Sequence, residues 1–161
     1  MSDREKLLAI YLNDHHAAGT AGVEVARRTS ASNADDPIGG PLADICAEIE
    51  TDLETLKRLM DELGVRRSTL KPAGAWAAEK LGRLKLNGQL TGYSPLSRLV
   101  ELEFLAMGIS GKAQLWKALA RSFGGRHGEF DFEQLATRAE RQLEEVEALH
   151  LQAVGRALPA R

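Results

Sequence analysis

A single cysteine, Cys46, in 161 residues excludes an internal disulfide. Set between Leu42 and Ile49 on an apolar face, it reads as a packing residue rather than a nucleophile. Aromatics are few, with two Trp, two Tyr and four Phe, and the 21 basic residues form no run and are offset by 23 acidic ones. A nucleic-acid surface needs clustered Lys and Arg with aromatics to stack bases, so that class of partner is excluded. Long hydrophobic runs are missing as well. Leu7 to Leu12 follows the charged Asp3-Arg4-Glu5-Lys6 and is too short for a signal-peptide core or a membrane span, so the expectation is a cytoplasmic protein with no membrane partner. There is no strand-like alternation, no repeat of fixed period, and no phosphate loop, because Gly39-Gly40-Pro41 has neither a strand before it nor a Lys after it. Ser-His-Asp and Cys-His catalysis lack a serine or cysteine in an elbow or loop.

What is present is helical periodicity. Ser2 followed by Glu5 is a capping-box pattern that starts a first helix over residues 3–29. Its stripe of Leu8, Tyr11, Leu12, His15, Ala18, Gly19, Gly22, Val25 and Ala26 carries a histidine and two glycines toward the core. The segment from Ser30 to Gly40 is polar and rich in breakers and reads as a loop. Pro41 suits the first turn of a second helix over 41–63, with Leu42, Ile45, Ile49, Leu56, Leu59 and Leu63 on one face, Asp52 on that same face, and Gly64 as the stop.

Residues 64–93 form a connection too long for a turn between adjacent helices. They include the apolar stretch Ala75 to Leu84, read as a short helix, and the turn-like pairs Asn87-Gly88 and Thr91-Gly92. Ser94 and Pro95 then open a third helix over 95–122, with Leu99, Leu102, Ala106, Ile109, Ala113, Trp116 and Ala120 inward. Gly108 and Gly111 weaken it, and close packing against a neighbour is the expected reason. Gly124-Gly125 ends it, and Asp131 with Gln134 caps a fourth helix over 131–158.

Four helices joined short, long, short describe an all-α, single-domain bundle with one crossover. This order, together with the run Tyr11-Leu12-Asn13-Asp14-His15 through Glu24, resembles the ferritin-like superfamily, and the Leu-Asn-Asp-His start resembles uncharacterised bacterial members. The resemblance implies antiparallel hairpins of helices one with two and three with four, and parallel second and third helices with the short helix packed outside. It also implies iron or manganese held by a Glu from each of two helices and a Glu-x-x-His from each of the others. Carried over by residue, the metal ligands would be Asp52, Glu103, Glu147, His150 and Glu24, with Glu147-Ala148-Leu149-His150 as the one literal Glu-x-x-His. Glu101 stands on a less buried side than Glu103. The second helix departs from the pattern, since Glu48 is followed at +3 by Thr51 and Glu50 by Leu53.

By helix rise from the shared end, the five metal candidates fall within reach of one another, while His15 and Gln142 fall on a separate, deeper level. Each has a plainer reading. The fourth helix holds Glu140, Glu144 and Glu145 besides Glu147, so a Glu three before a His arises easily. His15 and His16 are adjacent, and one is expected buried and the other on the surface. The function expected is a non-enzymatic bundle, a homodimer through Trp76 and Trp116, whose inner polar residues fix packing register, with no resident cofactor. The alternative is a metal-binding or redox bundle with a reduced ligand set, holding iron or manganese.

Overall fold

A computed structural model describes residues 2–68 and 93–159. The short helix at Ala75 to Leu84, the turns at Asn87-Gly88 and Thr91-Gly92, and Trp76 lie outside them. Four helices dominate: α1 (Asp3–Ser32), α2 (Gly39–Glu62), α3 (Pro95–Phe123) and α4 (Phe132–Ala157). The capping chemistry explains most boundaries. Ser2 Oγ accepts from the Glu5 backbone N–H while the Glu5 side chain accepts from the Ser2 N–H, closing the capping box. Ser94 caps α3 with Pro95 behind it, and Asp131 caps α4 by accepting from Gln134 N at 3.0 Å. Gly64 (φ 66°) follows α2 and Gly124 (φ 69°) caps the end of α3, both left-handed conformations that favour glycine.

Three departures from the sequence expectations have local causes. The polar stretch after residue 29 does not stop α1, which runs to Ser32 because Thr29 and Asn33 donate to the carbonyls of Val25 and Thr29 on the helix itself. The helix α2 begins at Gly39, two residues before Pro41. A proline is tolerated there because the first N–H groups of a helix have no intrahelical acceptor. Gly39 is needed at that spot, since a Cβ would stand 2.4 Å from the Asn33 carbonyl oxygen. Between α3 and α4, β1 (Arg126–His127) and β2 (Phe130–Asp131) pair antiparallel in a hairpin too short to leave alternation in the sequence.

The core has two apolar halves. One gathers Val25, Ile38, Leu42, Ile45, Leu99, Leu102, Leu149 and Ala153; the other gathers Leu12, Leu59, Met60, Trp116, Leu119, Phe132 and Leu135. Cys46 is buried in the first half. Trp116 and Phe132 stack at 6.4 Å in the second. No described helix is long and apolar enough to cross a membrane.

Candidate functional site

The end of α1, the start of α3 and the end of α4 are tied by a polar cluster. Glu101, 2 % exposed, pairs with Arg28 at 2.6 Å and accepts hydrogen bonds from Thr29 Oγ1 at 3.0 Å and the Tyr93 hydroxyl at 2.9 Å. Asp36 pairs with Arg98 at 2.9 Å and Arg156 at 2.8 Å. Burial first, with Glu101 adding to it, raises the Tyr93 phenol above its ordinary value, so it serves as a donor. Glu101 is therefore the inward acid of α3, and Glu103 is the half-exposed one, the reverse of the sequence expectation. Glu101 stands four residues after the buried Ser97 and four before Leu105, a spacing that places all three on one helix face.

A second polar level lies between the two apolar halves. Asp52, 2 % exposed, receives the Lys112 ammonium from α3 and the Arg138 guanidinium from α4. The Gln142 amide, fully buried, donates to Asp52 at 3.2 Å and to Glu48 at 2.8 Å, while its carbonyl oxygen accepts from Lys112. Arg141 holds both Glu48 oxygens at 2.6 Å. Burial acts to raise the Glu48 carboxyl, but the bonds from Gln142 and Arg141 prevail and hold it below its ordinary value. Burial pushes the Lys112 ammonium down, against the opposing pull of Asp52.

The five candidate ligands separate. Asp52 is in this interior cluster and Glu103 meets His150 at 3.2 Å on an exposed edge. Glu24 is exposed and pairs with Arg27 at 3.4 Å, and Glu147 is exposed on α4. Gln142 does not form a separate level with His15 but joins Asp52. With α2 starting at Gly39, Asp52 lies about 20 Å from that end of its helix and Gln142 about 23 Å from the end of α4, which brings them level.

Among the described residues no three His, Cys, Asp or Glu side chains come together as a metal would require. The interior level pairs its acids with Lys112, Arg138 and Gln142, so the donor set does not fit a pair of metal ions. The two ammonium and guanidinium charges already neutralise the one carboxylate that a metal would use. Sequence reasoning missed Lys112 and Arg138. Their long side chains reach inward from positions flanking the apolar stripes, and the only signal was that Asp52 on its stripe needed a partner.

His15 and His16 are both half-buried rather than split between core and surface. Tyr11 packs edge-on against His15 at 4.6 Å. Burial lowers both imidazoles below their ordinary value, aided for His16 by Lys57 and Arg67.

These features define a helical bundle with an interior ion cluster. No family model, curated protein or solved structure matches the chain.

Proposed function

We propose that the chain is a non-enzymatic bundle of ferritin-like arrangement in which the interior polar residues fix the register of the helices. The observation that carries this reading is Asp52, which binds three side chains from two other helices. An acid on α2 that must meet Lys112 of α3 together with Arg138 and Gln142 of α4 penalises any helix slid by one turn, because the slip leaves a buried charge unpaired. The arrangement is supported by shared levels. Leu42 and Ile45 near the start of α2 cluster with Leu99 and Leu102 near the start of α3, and Leu59 and Met60 near its end cluster with Trp116 and Leu119. Parallel α2 and α3, each in an antiparallel hairpin with α1 or α4, account for that pattern.

Replacing Asp52 by Leu tests the register role. Loss of a single cooperative unfolding transition, or of dispersed side-chain NMR signals, is the expected result. An Asp52→Leu variant that stays as stable and as uniquely packed as the parent refutes it.

The metal-binding alternative draws on the Glu103 and His150 pair alone, which supplies two protein donors at 3.2 Å from each other on the surface. A second copy of the chain is the proposed partner. Trp116 is 1 % exposed and belongs to the core, so it offers no dimer surface; Leu7 and Ile10 on α1, Leu96 and Met107 on α3, and Leu151 on α4 with Leu158 just after it are the large exposed apolar side chains left to one among the described residues.

A further inference from the structure

Between α1, α2 and α3 lies a cavity of about 220 Å³. An apolar cavity of about 150 Å³ is enough to take up benzene. The wall is apolar over most of its area, through Leu56, Phe104, Leu105, Met107 and Ile109 among others. Gly22 of α1 and Gly108 and Gly111 of α3 also line it. Among the described residues close packing does not explain these glycines, because a Cβ on any of the three meets none of their atoms within 4 Å. None has a positive φ either. Glycine inside a helix weakens it, and what these three do is keep the wall open.

The polar part of the wall is small, made by His15, Asp52, Lys112 and the Trp116 indole. Asp52 reaches it but is already engaged by Lys112, which also lines the wall, and by Arg138, which does not. Lys112 donates to Asp52 and Gln142, which leaves the third N–H of its ammonium. Trp116 lines the same cavity, and its indole N–H, in a residue 1 % exposed, has no acceptor among the described residues. His15, also on the wall, is driven toward the neutral form by burial and adds no competing charge at neutral pH.

We propose that this cavity binds a small organic acid with an apolar body, the carboxylate accepting a hydrogen bond from Lys112 and the body lying along the glycines of α1 and α3. A carboxylate supplies a charged acceptor for the third Lys112 N–H and for the unpaired Trp116 indole N–H. Binding of this kind requires no metal, so its success or failure is separate from that of the register reading above.

Isothermal titration of the full chain with octanoate and with 1-octanol, which share a tail and differ in the head group, tests this. Octanoate is expected to bind once per chain and about tenfold more tightly than octanol, as a charge-assisted hydrogen bond implies. Gly111→Leu projects a side chain into the open space beside Gly111 and is expected to abolish octanoate binding while leaving the helical circular dichroism unchanged. Lys112→Met is expected to remove the preference for octanoate. Absence of saturable octanoate binding, equal binding of octanol, or full octanoate binding by the folded Gly111→Leu variant each overturns the proposal. All three readouts hold even if Lys112→Met fails to fold.

Discussion

The Gln142 amide on α4 donates to the Asp52 carboxylate on α2 at 3.2 Å, with Gln142 fully buried and Asp52 2 % exposed. Neither residue could be left there alone. The carboxylate needs the Lys112 and Arg138 charges, and the amide needs Glu48, Asp52 and Lys112 to satisfy both its ends.

Breaking the pair from one side should therefore cost more than breaking it from both. Asp52→Ala leaves Lys112 and Arg138 without their buried counter-charge and is expected to cost about 3–5 kcal/mol in urea unfolding. The Asp52→Ala, Lys112→Met double variant should recover part of that loss, a coupling of about 0.5–3 kcal/mol. Glu103→Ala serves as the exposed control and should change stability by about 0–1 kcal/mol. Additive single and double effects would show that Asp52 and Lys112 do not interact.

Acidification should weaken the fold through the first helix before the carboxylates are involved. Burial lowers the folded-state values of His15 and His16 below their ordinary 6.5, so under that pH the unfolded chain takes up protons that the native state refuses. Stability is then full above about pH 6.5 and falls as pH drops below it. Glu48 and Asp36, both held below their ordinary 4.5 and 3.8, add their loss only at lower pH. Melting temperature followed from pH 7.5 to 5 should fall, and replacing both histidines by Gln should flatten the slope. A parent protein with no slope in that window contradicts the placement of these rings.

The glycines should divide by position. Gly108→Ala and Gly111→Ala add a methyl group to open space on a helix and are expected to raise stability by about 0.5–1 kcal/mol each. Gly39→Ala drives a Cβ against the Asn33 and Ala34 carbonyl oxygens at 2.4 and 2.8 Å and should lower stability by about 1–3 kcal/mol. Chemical denaturation of the three variants separates the two cases, and a destabilised Gly108→Ala would mean that the wall is tighter than described.

Much of the fold was legible because it rests on local chemistry. Ser2 with Glu5, Ser94 with Pro95, and Asp131 with Gln134 each announced a helix start that the structure has. The α1 to α2 loop was drawn too long, because Thr29 and Asn33 bond back to their own helix and outweigh the weak propensity of Ser30 to Ser32. At the candidate site, the inward position of Asp52 followed from periodicity, but its partners did not. Lys112, Arg138 and Arg28 lie beside their helices' apolar stripes, and only three-dimensional packing decides that their charged ends turn inward. Glu101 and Glu103 are two positions apart and exchanged roles for the same reason: which flank of α3 meets α1 is a property of the assembled bundle.

Metal content is the most direct test of whether the interior is a closed ion cluster. Protein purified without a His tag, equilibrated with ferrous iron or manganese and then desalted, should carry far less than one metal ion per chain and show no rise in melting temperature. Stoichiometric iron or manganese that stabilises the protein and is lost on Asp52→Ala, with the fold retained, would contradict it.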